Sequence, residues 1–272
     1  MIQREEVLAQ YDREMRRDPR PGPGSRVDRL GPIVRVVGTE NCVTFSDLND
    51  SNVRSVVAEQ VEFFRTAQGE VEWKVFGYDR PAHLEATLAE AGFVPDEPEA
   101  LLVYDLRESR LRDPVVPGVD VRQVVNAAGV RDARKVSELA FGRVGAGSAA
   151  AFERVVLDPN QVFFVGYVDG TPVASGRLEL TPGRAFAGLW GGGTIPSHRH
   201  RGAYRSLVAA RAALARERGY PYLTSDARPS SRPILERLGF VPLTATRAWR
   251  LRVAREGAPT ARGGIGGQRA RP

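Results

Sequence analysis

The sequence of 272 residues predicts an α/β (α+β) protein in which a mixed central sheet flanked by helices is built in two successive halves. Two observations predict this class. Strand-like and helix-like patterns of apolar residues alternate along the chain. A short helix that ends in Gly-Phe, followed by a strand, also closes each half, at Gly92-Phe93 and at Gly239-Phe240. A duplication explains this repeat, and chance similarity of two α/β units is the alternative.

The first half opens with a helix-forming segment that ends at Pro21-Gly22-Pro23-Gly24, which breaks a helix. Apolar periodicity then predicts two strands, a helix, a strand, a short helix begun by Pro81, and a last strand. These elements lie at 26–47, 52–66, 71–78, 81–92 and 101–106. We therefore expect a domain over residues 25–111, preceded by a separate segment over 1–24.

The second half follows a linker with two prolines near 112–118. The predicted strands lie at 119–124, 162–168, 172–180, 186–195, 220–225 and 241–251, and the predicted helices at 127–141, 148–157, 202–219 and 230–239. Asp169-Gly170 suits the positive φ angles of a tight hairpin turn. We expect a domain over residues 118–253 and a disordered basic tail over 254–272, which is rich in glycine and poor in large apolar groups.

Composition limits the classes of function. Among the 39 basic residues only Lys74 and Lys135 are lysines, which is typical of a GC-rich genome and favours a bacterial source. Cys42 is the only cysteine, so an intrachain disulfide and a thiolate metal cluster are excluded. The longest apolar stretch, 162–168, is too short for a membrane span, and the N-terminus lacks the apolar centre of a secretory signal. We expect a cytoplasmic protein with no metal and no membrane contact.

The pI near 9.9 raises the question of nucleic-acid binding. The formal net charge is +6, and the tail 255–272 supplies about half of it, with four arginines against one glutamate. Without that tail the chain is only mildly basic. Since net charge speaks to non-specific association and not to fold, we expect nucleic acid to be an unlikely partner.

The segment 194–207 carries the most informative chemistry. A strand ends there, a short turn with Arg199 and Arg201 follows, and Gly202 opens a long helix. The first N–H groups of a helix lack internal partners, and the macrodipole adds about half a positive charge. Gly202 has no Cβ, so a bulky anion has room to approach the backbone. The pattern predicts a loop that binds a diphosphate.

This loop resembles the signature of the GNAT superfamily of acetyl-CoA-dependent N-acetyltransferases, which is Gln/Arg-x-x-Gly-x-Gly/Ala after the fourth strand. Arg199-His200-Arg201-Gly202-Ala203 supplies the first five positions. Tyr204 stands at the sixth, where Gly or Ala is usual. The resemblance covers about 119–252 in element order. It implies a GNAT fold there, preceded by a partial, degenerate GNAT-like domain.

The resemblance also implies that acetyl-CoA is the acyl donor and that certain residues hold it. The N–H groups of Arg201, Gly202, Ala203 and Tyr204, with the Arg199 side chain, would bind the diphosphate. The backbone of Gly193, Thr194 and Ile195 would pair with the pantetheine arm like an added strand and supply a donor to the oxyanion. The glycines of Trp190-Gly191-Gly192-Gly193 predict a bulge in that strand or room for the cofactor.

The acid and the base are less well defined by the sequence. Many relatives use a tyrosine in the short helix before Gly-Phe, and that position is Leu235 here. Glu179 is the candidate base, because alternation places it on the polar side of its strand; a solvated carboxylate or a partner of Arg177 is an equal interpretation. Asp226 is a base or a cap of the following turn. Tyr204 is a further candidate donor to the leaving sulfur.

At the equivalent place, the first half has 46–52, with Asp47 and Asp50 at the start of a helix. Two carboxylates there repel a diphosphate and cap the helix instead. We therefore expect one active site, with the first half extending the sheet or walling off the acceptor cleft.

Three functions remain open from the sequence. The first is an N-acetyltransferase that moves an acetyl group from acetyl-CoA to a primary amine of a small molecule or peptide, as a monomer or homodimer. The second is a non-catalytic acyl-CoA-binding or sensing module, since the usual tyrosine is missing. The third is a basic nucleic-acid-associated protein, which depends on the arginine-rich tail.

Overall fold

A computed structural model describes residues 2–65, 69–107, 116–142 and 158–253, together with Leu111, Phe152 and Val156. The strands of this part of the chain are β1 (Ser25–Leu30), β2 (Ile33–Gly38), β3 (Cys42–Ser46), β4 (Gly69–Phe76), β5 (Val94–Pro95), β6 (Glu99–Asp105), β7 (Asp120–Gln123), β8 (Gln161–Val168), β9 (Thr171–Leu180), β10 (Phe186–Thr194), β11 (Tyr222–Ala227) and β12 (Val241–Val253). The helices are α1 (Arg4–Tyr11), α2 (Val53–Arg65), α3 (Leu84–Glu90), α4 (Ala127–Phe141), α5 (Ala203–Glu217) and α6 (Arg232–Leu238). A π-helical turn, Asp12–Arg17, continues α1.

All these strands belong to one mixed sheet in the order β1-β2-β3-β4-β12-β6-β11-β10-β9-β8-β7, with β5 paired to β12. The predicted fold class, a mixed central sheet flanked by helices, is confirmed. Each half has antiparallel strands followed by a parallel pair, β3 with β4 and β10 with β11. A helix connects each parallel pair, α2 in the first half and α5 in the second. This shared order supports the predicted duplication.

The two halves exchange their last strands. β6 ends the first half, yet it pairs with β11 and β12 of the second half, antiparallel to both. β12 in turn lies between β6 and β4 and is antiparallel to β4 over the whole length of that strand. The sheet is therefore continuous across the halves, and the domain boundaries at 25–111 and 118–253 stay predictions.

The region 26–47 contains three strands where the sequence predicts two. A hairpin at Gly31-Pro32 separates β1 from β2. β1 is an outer strand that pairs only with β2, and its residues are mostly partly or fully exposed. Since it lacks a buried face, its residues do not show the alternation that identifies a strand.

Two predicted local features are present. Asp169 and Gly170 have φ angles of 49° and 73°, which are those of a tight primed turn between β8 and β9. The register between β9 and β10 shifts between Trp190 and Gly193, so the glycine run forms a bulge. The predicted helix 148–157 falls almost entirely outside the described residues, and the predicted tail 254–272 does so completely.

The core lies on both faces of the sheet. α5 covers one face, where Leu207 and Val208 are buried against Leu178 and Leu189. α1 covers part of the other, where Tyr11 meets Phe186 edge to face, with ring centroids 5.2 Å apart. Within the described ranges, no helix has the length and apolar character needed to cross a membrane.

Candidate active site

Two clefts lie side by side along the end of β10. The first, of about 550 Å³, is bounded by the start of α5, the end of β10, α4 and α6. The second, of about 560 Å³, is bounded by β10, β11 and strands of the first half. Phe141, Gly192, Tyr204 and Ser231 line both clefts. The two clefts therefore adjoin each other at these residues.

The clefts meet because β10 and β11 part from each other. The parallel pairing of Phe186, Ala187 and Gly188 with β11 stops at Thr224. Beyond that point β10 bulges and stays with β9. We call the resulting gap between β10 and β11 the split. The glycines at 191–193 allow this departure, since Gly191 has a φ of 54°.

The basic loop ends in two left-handed residues, His200 with φ 63° and Gly202 with φ 83°. They turn the chain into α5, whose first helical hydrogen bond runs from the Ser206 N–H to the Gly202 carbonyl at 3.0 Å. The N–H groups of Ala203, Tyr204 and Arg205 precede this bond, so they have no acceptor inside the helix. All three residues line the first cleft.

The structure brings together most of the residues that the sequence selects for cofactor binding. Those that line the first cleft are Gly193, Thr194, Arg199, Gly202, Ala203 and Tyr204. Arg201 and Ile195 are not part of its lining among the described residues. The Ile195 N–H donates to the Val173 carbonyl at 2.9 Å, and the Ile195 carbonyl accepts from His198 at 3.0 Å. Thr194, one residue earlier, is the residue whose backbone faces the split.

One physical reason offered from the sequence is wrong. The space beside Gly202 is not open to an anion, because a Cβ there would lie 2.5 Å from Cγ2 of Val116. Glycine is needed at 202 for its left-handed backbone and for this contact with the linker. The N–H groups of the helix remain accessible from the first cleft.

Glu179 lies outside the lining of both clefts. It stands opposite Gly188 on β10 and Gln161 on β8. Burial raises the pKa of this carboxyl. Glu179 is half-buried beside the closed end of the split and outside both cleft linings, and this position does not favour its predicted role as a base.

Carboxylates of the second cleft come from both halves of the chain. Asp226 of β11 accepts from the Thr246 hydroxyl at 3.1 Å and lies 3.3 Å from the Lys74 ammonium. Lys74 also pairs with Glu99 at 2.8 Å. Burial lowers the pKa of Lys74, but the Asp226 and Glu99 carboxylates outweigh it and raise that pKa overall.

The first half forms one wall of the second cleft. Its residues in the lining are Tyr11, Met15, Arg16, Cys42, Thr44, Glu72, Lys74, Phe76, Asp96 and Glu99. Both structural roles expected for this half, extension of the sheet and enclosure of a cleft, are present.

The start of α2 differs from the start of α5. The Asn49 carbonyl accepts from the N–H groups of Asn52 and Val53, so these two donors are already occupied within the chain.

Tyr204 connects the two clefts. Its ring lies against the split, 3.0 Å from the position a Cβ would take at Gly192. Burial raises the pKa of its phenol above the ordinary value. The hydroxyl therefore stays protonated at neutral pH and is able to donate a hydrogen bond.

Several lining residues were not selected from the sequence. Phe141 ends α4, Ser231 directly precedes α6, Arg237 lies within α6, and Lys74 lies on β4. The alternation of Glu70, Glu72 and Lys74 with apolar neighbours marks β4 as a strand with one polar face. No signal in the sequence assigns that face to this cleft, because the pairing of β4 with β12 is between distant segments.

Comparisons with known proteins agree with this geometry. A model of the "Acetyltransferase (GNAT) family" matches residues 134–240. A GCN5-related N-acetyltransferase from Kribbella flavida is 18% identical with a TM-score of 0.64, over 91% of this chain and 93% of that one. One from Sphaerobacter thermophilus is 15% identical with a TM-score of 0.59, over 92% and 86%. A tandem GNAT protein from the clavulanic acid biosynthesis pathway is 14% identical with a TM-score of 0.58, over 87% and 86%.

None of the curated proteins compared with the chain matches it. The structural similarities extend over both halves, so the protein has a GNAT fold that includes the first half. Residues 134–240 form a domain of the GNAT acetyltransferase family. The resemblance drawn from the loop at 199–204 is confirmed.

Proposed function

We propose that the protein transfers an acetyl group from acetyl-CoA to a primary amine of a small molecule or peptide. One observation carries this proposal: the two clefts meet at Gly192 and Tyr204, where β10 and β11 part. A thioester that enters by the first cleft and an amine that enters by the second come into contact there. Holding both reactants in this way supplies much of the rate of a two-substrate reaction.

The diphosphate of the donor binds at the start of α5. The N–H groups of Ala203, Tyr204 and Arg205 point out of the helix, and its macrodipole favours an anion. The Arg199 guanidinium lies in the same cleft, and its Nε donates a hydrogen bond to the Thr194 carbonyl at 3.3 Å, which fixes its position. The pantetheine arm then runs along Thr194 and Gly193 toward the split.

The amine nitrogen attacks the thioester carbon, and the carbon–sulfur bond breaks. A free amine with a pKa near ~10.4 is protonated at neutral pH, so it gives up a proton before the attack. Asp226, on the strand that borders the split, receives that proton. A backbone N–H at the bulge of β10 stabilises the oxyanion. The Tyr204 hydroxyl gives its proton to the departing thiolate.

Calorimetry with acetyl-CoA on a matched pair of variants tests the donor site. Loss of the Arg199 guanidinium in Arg199→Ala removes a charge-assisted bond, so we expect the dissociation constant to rise about 10- to 100-fold. Arg201→Ala removes the same charge two residues away but outside the cleft lining, and we expect a change below about threefold. Equal effects of the two variants would mean that the arginines of the loop attract acetyl-CoA only through their charge and that Arg199 makes no specific contact with it.

Release of free thiol from acetyl-CoA with a panel of amines tests the reaction itself. We expect amine-dependent release by the wild-type chain. Tight binding of acetyl-CoA without release for any amine would favour the acyl-CoA-sensing module instead. No binding of acetyl-CoA at all would overturn the proposal.

A further inference from the structure

Arg211, on the side of α5 that faces the sheet, is a buried cation that pairs with no carboxylate of the described residues. Its exposed fraction is 1%. Nε donates to the Leu207 carbonyl and Nη1 to the Arg177 carbonyl, each at 3.1 Å. Nη2 has no hydrogen-bond partner among the described atoms. Arginines this deep in a protein are normally paired with an anion, because desolvating a lone charge is costly.

The unpartnered nitrogen lies at the place where the two clefts meet. A Cβ at Gly192 would stand 3.2 Å from Nη2, and Gly192 lines both clefts. A Cβ at Gly176 would stand 2.9 Å from Nη1, so the guanidinium occupies space that only glycines leave free. Arg211 itself is part of the lining of the second cleft.

The diphosphate loop does not account for this charge. Arg211 is two turns into α5, about 12 Å along the axis from the first residue of the helix. A diphosphate at the helix N-terminus is therefore bound by Arg199 and the first N–H groups of the helix, whereas Arg211 lines the second cleft and not the first.

Two other cations of the second cleft have carboxylate partners among the described residues. Lys74 has Glu99 and Asp226, and Arg250 has Glu70, Glu72 and Asp96. Around Arg211, burial lowers the pKa of the guanidinium to about 10, with only the phenol of Tyr204 acting against that. At neutral pH the group is still charged. The chain thus brings an unbalanced positive charge to the junction of its two clefts.

We propose that Arg211 binds a carboxylate carried by one of the two substrates. This inference rests on the proposed transfer of an acyl group from a CoA thioester to an amine, and it names the substrate class: either the acyl group is charged and takes the place of acetyl, or the amine is an amino acid. The carboxylate has two possible sources: the free end of a dicarboxylic acyl group on the donor, or the carboxylate of an amino acid that serves as acceptor. A carboxylate accepts from Nη2 and neutralises the guanidinium, whereas an acetyl group or a simple amine leaves it unpaired.

Arg177 supports this assignment from the neighbouring position on β9. Its backbone carbonyl holds Arg211, and its side chain lines the second cleft. Burial lowers the pKa of the Arg177 guanidinium, and its buried Nε has no partner among the described atoms. The lining of the second cleft thus contains a second guanidinium with an unsatisfied buried donor, and the Glu179 carboxylate partly offsets its charge.

Two binding experiments on the full chain distinguish the sources. In the first, calorimetry compares succinyl-CoA with butyryl-CoA, which has the same chain length but no charge. In the second, the protein is saturated with CoA, and a panel of amino acids is compared with the corresponding methyl esters. We expect at least a tenfold preference for the carboxylate in one of the two experiments. That preference should fall to below about twofold in Arg211→Met and survive in part in Arg211→Lys.

Arg216→Met is the matched control, since Arg216 lies on the same helix, outside both cleft linings, and donates to the Leu106 carbonyl at 2.9 Å. It should keep the wild-type preference. Absence of a carboxylate preference in both experiments with the wild-type chain would overturn the inference, whatever the variants do. If acetyl-CoA still binds and is turned over in that case, the proposed function survives its loss. If no acyl-CoA binds, the proposed function itself is wrong, and the inference about Arg211 is overturned with it.

Discussion

Lys74 of β4 lies 3.3 Å from Asp226 of β11, so an ammonium of the first half pairs with a carboxylate of the second. The pair crosses β12 and β6, the two strands that the halves exchange. Thr246 of β12 holds the other oxygen of the same carboxylate. Asp226 is therefore fixed beside the split by residues from both ends of the chain.

Asp226→Asn should lower kcat for amine acetylation by about 10²-fold, because the amide cannot accept a proton from the amine. The affinity for acetyl-CoA should change less than about threefold, since Asp226 lines the second cleft only. Steady-state kinetics and calorimetry measure the two quantities. Glu179→Gln is the control and should keep the wild-type kcat. A larger loss of kcat in Glu179→Gln than in Asp226→Asn would identify Glu179 as the base.

Tyr204→Phe should lower kcat by about tenfold or more, because the departing thiolate loses its proton donor. Burial raises the pKa of Tyr204, so its donating form persists at neutral pH and is lost only as the pH rises above the ordinary value near ~10. Below pH ~10 the wild-type kcat should therefore show no decline caused by deprotonation of Tyr204. An unchanged kcat in Tyr204→Phe would show that water protonates the thiolate.

Gly202→Ala should destabilise the protein more than Gly219→Ala. Both glycines have left-handed φ angles, 83° and 79°, which cost an alanine about 1 kcal/mol. At 219 the new methyl group meets nothing within 4 Å, whereas at 202 it meets Val116. Thermal unfolding of the two variants separates the backbone cost from the cost of the clash. Equal melting temperatures would mean that the linker moves away freely.

Arg211→Met should stabilise the fold at neutral pH by about 1 kcal/mol or more, because it replaces an unpaired buried charge with an apolar side chain of similar length. Burial lowers the pKa of Arg211 to about 10, so the folded state holds this proton less tightly than the unfolded state. The contribution of Arg211 to the stability of the wild type therefore rises as the pH increases through 10. The advantage of the variant should shrink over the same range. Chemical unfolding at pH 7 and above pH 10 measures both effects, and a less stable variant at pH 7 would identify Arg211 as a structural residue.

The exchange of strands predicts that neither half folds alone. In a fragment of residues 1–111, β4 lacks β12 and β6 lacks both of its neighbours. We expect no cooperative unfolding transition by circular dichroism for this fragment or for residues 118–272. A mixture of the two should regain a transition, because the missing strands then pair across the fragments. A cooperative transition in either fragment alone would support the separate domains expected from the sequence.

The sequence was sufficient for the elements that depend on local patterns. The helix 127–141, the turn at Asp169-Gly170 and the bulge after Trp190 follow from capping, positive φ angles and glycine content, all of which act within a few residues. The loop from Arg199 to Tyr204 was recognisable for the same reason, since the first turn of a helix defines its own anion site.

The pairing of distant strands and the wall of the second cleft were not predictable in this way. Which strand lies beside β4 depends on contacts between segments more than 150 residues apart in the chain, such as Glu70 with Arg250. Arg211 had a weak signal, because it follows Leu207 by one turn on the apolar side of α5. Its position between Gly176 and Gly192 depends on the packing of α5 against β9 and β10, which the sequence does not define.

The interleaving of β6 and β12 has a consequence for how specificity evolves in this molecule. The first half supplies ten of the described residues that line the second cleft and none of those that line the first. Sequence change in the first half is therefore free to reshape the second cleft, while the first cleft and the donor binding proposed for it stay unchanged.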